Sequence, residues 1–266
     1  MEHSTELKTA GNQSAEKALR ILEYLADQNE PMRLMDIAKE TNLNNSTALR
    51  FLTTLLSMGY VAQETDTSKY YLTYKLVTLG KRVNEKKPLS KIVSPYLKKI
   101  SETLQESACL AIDQNSQVVY IDVKEGPRQI VKAMQRIGNI APMHCTGIGK
   151  LLLLNYSETQ IDHLIQAQGL SRFTQYTLTT RDALLYELQE VREKGYALDN
   201  EECEIGARCI AFPIYDHSRK VIAGISVTGP SIRLTDAFTN KWIPYLRQVS
   251  QQISYELGCP IAQSSV

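Results

Sequence analysis

Between Pro31 and Tyr60 the chain reads PMRLMDIAKETNLNNSTALRFLTTLLSMGY. A short apolar segment (Leu34, Met35, Ile37, Ala38) meets a break at Thr41-Asn42-Leu43, and a longer one then sets Ala48, Leu52 and Leu55 on one face. Residues three, four and seven apart share one side of a helix, so the spacing predicts two amphipathic helices joined by a brief turn. The second helix opens on Asn44, Asn45, Ser46 and Thr47, and Arg50 follows one turn later. Small polar groups leading the second helix of such a pair are the layout of a helix-turn-helix that touches DNA.

The flanks complete the module. Ser14 is placed to cap a preceding helix with Ala18, Ile21, Leu22 and Leu25 on its apolar stripe, and Pro31 punctuates its end. Gly59 suits a left-handed cap on the second helix of the pair. The period then changes. Tyr60–Glu64 and Lys69–Thr73 are β-prone runs around the turn-forming Thr65-Asp66-Thr67-Ser68. Three helices followed by a hairpin make a winged helix-turn-helix. Packed helix pairs without any DNA role share the first part of this pattern, and it is the hairpin that favours the DNA reading.

Charge tempers that reading. The whole chain carries a net charge of +1, which supplies no global field toward phosphate. The second helix has a single cation, Arg50. Its other contacts must come from hydroxyls, amides and backbone N–H groups at the helix start. Asn44 or Asn45 has the donor–acceptor pair that reads an adenine edge, although Asn45 or Ser46 is also a candidate N-cap. Modest affinity per module implies a dimer on a palindromic site.

From Tyr74 to Lys87, Leu76, Val77, Leu79 and Val83 follow helical spacing, and Pro88 closes what reads as a connecting helix. Beyond it the pattern is mixed. Ile92, Tyr96, Ile100 and Leu104 share a helical face. Ala108–Asp113 and Val118–Val123 alternate about Gln114-Asn115-Ser116 as a hairpin, and Ile130–Met134 is a further predicted strand. Helices are expected at 147–155, at 158–166 behind a Ser157/Gln160 capping box, and at 180–194, capped by Thr179 and ended by Gly195. Strands at 209–214 and 221–227 and a final helix at 237–257 complete an α+β domain.

Three stretches there hold candidate chemistry. APMHCTGIGK (141–150) puts glycines where a loop enters a helix, which serves either close packing or an anion at free N–H groups. DNEECEIGARCIAFPIYD (199–216) begins with an acidic run that suits a solvated loop. ISVTGP (225–230) sets Ser226 and Thr228 two apart, on one face of a strand, where they either satisfy neighbouring backbone or, with Cys209 on the adjacent strand, line a small polar pocket.

The remaining composition narrows the class. With 43% hydrophobic and 22% charged residues, long disorder is not expected. Cys109, Cys145, Cys203, Cys209 and Cys259 form no CxxC pair, and an odd count without a secretory signal suits reduced thiols. No apolar run approaches the ~18 residues of a membrane span. A cytoplasmic protein is expected, with no membrane partner.

SAEKALRILEYL, MRLMDIAKETNLNNSTALRFLTTLLSMGYV and KYYLTYKLVTLG together resemble the DNA-binding half of the IclR family of transcriptional regulators. Ser46, Thr47, Arg50, Phe51 and Leu52 match that family's recognition-helix pattern, while Asn45, Leu49 and the wing's Lys69-Tyr70-Tyr71 depart from its usual residues. The three C-terminal stretches, in the same order, resemble the family's effector-binding domain, a GAF-like fold around a small organic acid. Within that family YVAQE, KYYLTYKL and DNEE followed by G-x-RCIA-x-P resemble regulators of sugar-acid catabolism somewhat more closely.

The expected organisation is a disordered arm (1–13), a winged helix-turn-helix domain (14–73), a linker helix (74–88), an α+β domain (89–260) and a tail (261–266); the resemblance implies that the linker helps pair the DNA-binding modules and that the α+β domain is a GAF-like effector-binding domain. The DNA contacts expected are Asn44, Asn45, Ser46, Thr47, Arg50 and Lys69, and the resemblance implies effector contacts at Gly147, Ile148, Asp199, Cys209, Ser226 and Thr228. Ile148 stands where the family usually has a smaller residue. The partners implied are double-stranded operator DNA, a small organic or sugar acid, and further copies of the chain as a homodimer or dimer of dimers. The function implied is a repressor of a catabolic operon, without a cofactor. Two rivals remain. Cys209 with His144 or His217 as base would make an enzyme, though no oxyanion hole or third orienting group is evident. A dimeric sensor that binds no DNA has only the thin positive charge in its favour. Cys145, Cys203, Cys209 and His144 are the metal-ligand types at hand, in no structural zinc spacing.

Overall fold

The computed structural model describes residues 12–79, 88–126 and 137–260. The chain divides into two compact units, Met1–Lys87 and Pro88–Val266.

In the first unit, α1 (Gln13–Ala26), α2 (Leu34–Glu40) and α3 (Asn45–Ser57) precede a hairpin of β1 (Val61–Gln63) and β2 (Tyr70–Leu72). Asn12 caps α1 in place of Ser14: its side chain accepts from the N–H groups of Ser14 and Ala15. Ile21, Leu25, Ile37, Leu52, Leu55, Val61 and Tyr70 form one core from all five elements. Burying each such aliphatic side chain contributes roughly 1.5–3 kcal/mol before conformational entropy opposes it.

Both helices of the pair stop in the same way. Leu43 N–H returns to the Ala38 carbonyl at 2.8 Å and Asn42 N–H to Lys39 at 3.2 Å. Tyr60 N–H likewise returns to Leu55, and Gly59 N–H to Leu56, both at 2.9 Å. These are Schellman closures, each of which needs a left-handed residue. Asn42 (φ 58°) and Gly59 (φ 74°) supply it. Met32 bridges to Tyr70 beside the hairpin. A further helix, α4, is described over residues 75–79; the rest of the expected connecting helix, through Lys87, lies outside the described residues, as does the predicted strand Ile130–Met134.

The second unit comprises α5 (Leu89–Leu104), β3 (Ser107–Gln114), β4 (Gln117–Lys124), β5 (Ile140–Ala141), α6 (Gly147–Leu153), α7 (Glu158–Gln168), α8 (Arg181–Lys194), β6 (Ala197–Asn200), β7 (Ala207–Tyr215), β8 (Val221–Pro230) and α9 (Asp236–Glu256). The six strands form one antiparallel sheet in the order β5-β4-β3-β8-β7-β6. The predicted β3–β4 turn is tight, with Asn115 and Ser116 both at positive φ. The Ser157/Gln160 capping box forms, and Gly195 ends α8, but Thr180 rather than Thr179 caps it.

Alternation along the strands separates two cores. Cys109, Ala111, Cys209 and Ala211 pack with Leu151, Ile161, Leu164, Leu184 and Leu188 of α6, α7 and α8. Ala108, Leu110, Ile210, Phe212, Ile225 and Val227 pack with Val93, Leu97, Leu246 and Ile253 of α5 and α9. Helices therefore cover both faces of the sheet. That coverage is why β7 and β8 read as nearly continuous apolar runs rather than clean alternations. Among the described residues no helix is long and apolar enough to cross a membrane.

Candidate functional site

On α3, the side chain of Asn44 accepts from the Thr47 N–H at 2.8 Å and from the Ser46 hydroxyl at 2.8 Å. Asn44 is thus the N-cap, where Asn45 or Ser46 was expected. The cap leaves Asn45, Ser46 and Arg50 exposed and Thr47 half-buried on the first two turns, while Ala48, Leu52 and Leu55 hold the opposite face in the core. The Arg50 guanidinium rests 5.5 Å from the centre of the Phe51 ring. Lys69 stands apart from this group, half-buried at the base of β2 in the wing.

In the second unit the six implied effector contacts come together. Gly147, Ile148, Asp199, Cys209, Ser226 and Thr228 all line one cavity of about 170 Å³. The register explains the convergence: Cys209 pairs with Thr228 across β7 and β8, Cys109 with Ser226 across β3 and β8, and Asp199 with Cys209 across β6 and β7. Above them sits the start of α6, capped by Thr146, whose hydroxyl accepts from the Gly149 N–H at 3.2 Å and donates to the Pro142 carbonyl at 2.7 Å. A Cβ on Gly147 would lie 3.0 Å from the Ala211 Cβ and 3.2 Å from the Cys209 Sγ, so only glycine brings the helix this near the sheet. Ile148 fills the space over Gly224 in the same way.

Several lining residues escaped the sequence reading: Tyr120, Asn139, Thr146, Cys203, Glu204 and Ala207. Thr146 had a signal, since a Thr just before a predicted helix is a cap. Tyr120 had a weaker one, as a polar-tipped residue in phase with Val118 on β4.

The acidic run, which suits a solvated loop, is solvated only in part: Asp199 and Glu202 are buried, Glu201 is half-buried and Glu204 is exposed. Asp199 belongs to β6, and its Oδ1 accepts the N–H groups of Glu202 at 2.8 Å and Cys203 at 3.3 Å, which shapes the loop. Beside it lies a group the sequence reading missed. Lys150, 1% exposed, gives its ammonium to Glu202 at 2.6 Å, Glu187 at 2.9 Å and the Leu198 carbonyl at 2.8 Å. Burial disfavours that ammonium, but the two carboxylates overcome the penalty and its pKa is raised. Burial raises Glu202 despite Lys150. Burial, and then the Glu202 charge, raise Asp199 to about 7 against the two N–H bonds and Lys150.

Ser226 Oγ, 3% exposed, has no hydrogen bond of ordinary geometry among the described residues; the Cys109 and Cys209 thiols beside it are weak partners. Burial, then Asp199, push the Cys209 thiol up to about 12. It is therefore protonated at neutral pH and a poor nucleophile. Neither proposed base lines this cavity. His144 Nε2 donates to the Ser171 carbonyl at 3.1 Å and lines a neighbouring cavity of about 320 Å³, and His217 is exposed in the β7–β8 turn. Cys145 and Cys203 adjoin one another. Even so, among the described residues no three His, Cys, Asp or Glu side chains group as a metal site.

A winged helix-turn-helix with an exposed polar helix start, and a separate α+β unit enclosing a polar cavity, define the class: a DNA-binding transcriptional regulator. Residues 14–65 match the IclR helix-turn-helix domain, and residues 81–255 match the bacterial transcriptional regulator IclR C-terminal domain. The chain is 35% identical over 248 residues to the HTH-type transcriptional regulator XynR of Escherichia coli (strain K12), covering 93% of this chain and 98% of that one. It is 34% identical over 225 residues to the acetate operon repressor of Salmonella typhimurium (strain LT2), covering 84% and 82%. The crystal structure of the Thermotoga maritima IclR matches with a TM-score of 0.61 at 29% identity, over 92% of this chain and 99% of that one. The chain belongs to the IclR family of bacterial transcriptional regulators.

Proposed function

We infer that this regulator is a cytoplasmic repressor of a catabolic operon, released or recruited by a small organic or sugar acid held in the cavity of the second unit. The observation that carries the reading is the convergence of Gly147, Ile148, Asp199, Cys209, Ser226 and Thr228, from four separate stretches of chain, on one cavity. A buried Ser226 hydroxyl without an ordinary partner supports a ligand there, since such a group costs about 1–3 kcal/mol unless something meets it. The Salmonella relative is named an acetate operon repressor, and acetate is a small organic acid.

In this reading residues 14–73 read DNA, 74–88 connect, and 89–260 sense. Asn44, Asn45, Ser46, Thr47, Arg50 and Lys69 face operator DNA, Asn44 as the cap that orients the helix start. With one cation on the recognition helix, selectivity depends on two copies at a set spacing, so the working form is a homodimer or dimer of dimers. Ligand acts by binding one arrangement of the copies more tightly than the other; without that difference no coupling arises. The test replaces Ser226 and Asp199 together by alanine. The variant is expected to bind operator fragments as the wild type does while losing the change in affinity that gluconate or other small acids produce. Retained induction in a gel shift would remove the cavity from the mechanism.

A further inference from the structure

The cavity is built for an acid in a curious way. Among the described residues that line it there is no lysine or arginine, but there are two carboxyl groups, Asp199 and Glu204. The buried cation nearby, Lys150, has its three N–H donors committed to Glu187, Glu202 and a carbonyl. One ammonium cannot balance both Asp199 and Glu202, which are buried, while Glu187, its side chain 30% exposed, keeps contact with water. Removing unpaired charge from water costs several kcal/mol, and a carboxyl escapes that cost by taking a proton.

We propose that Asp199 is the charge-reading residue of the cavity and that an anionic effector enters only together with a proton on its carboxyl. This deepens the effector reading above and rests on it. The proton comes from solvent and forms an O–H bond at Oδ2, because Oδ1 already accepts the Glu202 and Cys203 N–H groups. The ligand stays a carboxylate, so binding takes up as much as one proton. A neutral Asp199 then donates to the ligand, while Ser226 and Thr228 supply hydroxyls from the strand beside it. An ionised Asp199 would repel the ligand and leave its lone pairs facing another anion.

The groups facing Asp199 come from every wall. Lys150 of α6 favours ionisation, while Glu202 opposes it. Cys209 of β7, Tyr120 of β4 and the Cys145 and Cys203 thiols have their own ionisation disfavoured by the Asp199 charge. Glu187 of α8 acts through Lys150, and Glu204 lines the same cavity.

The experiment is calorimetric titration of the full chain with gluconate and with lactate between pH 6 and 8, in phosphate and in Tris. Linkage with a carboxyl titrating near 7 predicts about tenfold weaker binding at pH 8 than at pH 6, with proton uptake visible as a buffer-dependent heat. In Asp199→Asn the pH dependence should vanish, since the amide donates at every pH. Glu202→Gln should move the midpoint to lower pH. A readout without ligand accompanies these: the wild type should lose melting temperature relative to Asp199→Asn as pH rises from 5 to 8, because a carboxyl whose folded pKa is raised stabilises below that pKa and loses the effect above it. Binding that is flat with pH in the wild type overturns the proton linkage and leaves the acid-effector reading standing. No heat from either acid at pH 6 overturns both.

Discussion

The two units treat their polar side chains in opposite ways. In the first, Asn45, Ser46 and Arg50 stand in water on α3. In the second, Asp199, Ser226, Thr228 and Lys150 are buried between helices and sheet. An exposed group waits for its partner at no cost, since water satisfies it. A buried one must be paired within the fold, or protonated, or met by a ligand. Changes on α3 should therefore alter binding without altering stability, and changes around the cavity should alter both.

The largest effect is expected where that contrast is sharpest. Lys150→Met strands Glu202 in the interior and should destabilise the second unit by about 3–5 kcal/mol, measured by urea unfolding followed at Trp242. A loss below 1 kcal/mol would mean that the carboxylate finds water or a proton easily, and the contrast would blur. Next is Arg50→Ala. Loss of one base or phosphate anchor at about 1–3 kcal/mol per half-site weakens a paired complex on the order of a hundredfold. Gel shifts on fragments selected by the wild type would show it, with the melting curve unchanged; unchanged affinity would take Arg50 out of the interface.

Gly147→Ala pushes a methyl toward Ala211 and Cys209 and should cost about 1–3 kcal/mol by overpacking. It also narrows the cavity, so acid-induced stabilisation should fall with it in a thermal-shift titration. The smallest effect belongs to the surface. Asn44→Ala removes the α3 cap, worth about 1 kcal/mol, and chemical denaturation resolves that. Because the cap orients the helix start, the gel-shift affinity should fall as well, which is the one place where the first unit couples stability to binding.

Much of the first unit was legible because its signals are local. The α2 and α3 stripes, the break at Thr41-Asn42-Leu43 and Gly59 all act within a few residues, and each matches an observed turn or cap. The caps were legible only to within a residue or two. Asn12, Ser14, Asn44, Asn45 and Ser46 are all good N-caps by type, and the choice among them follows from where the core stripe sets the helix phase. In the second unit the hairpin at Asn115-Ser116, the capping box at Ser157 and the Gly195 stop were equally local. The stretch from Asp199 was not. Four residues of β6 ahead of an acidic loop look the same to a local reading whether water or a sheet lies beside them.

The chain's order of residues by itself determined the helix-turn-helix, its wing and the two hairpins of the second unit. Periodicity, capping and turn chemistry act between near neighbours, and they survive being read one window at a time. The tertiary structure alone decided which polar groups lie in water and which do not. Lys150 meets Glu202 across 52 residues of chain, and Cys109 of β3 meets Ser226 of β8 in the pairing of strands far apart in sequence. Burial is a property of everything that packs against a residue, so the charge state of Asp199 depends on the sheet and helices packed over it as well as on Glu202 and Cys203 beside it in the chain.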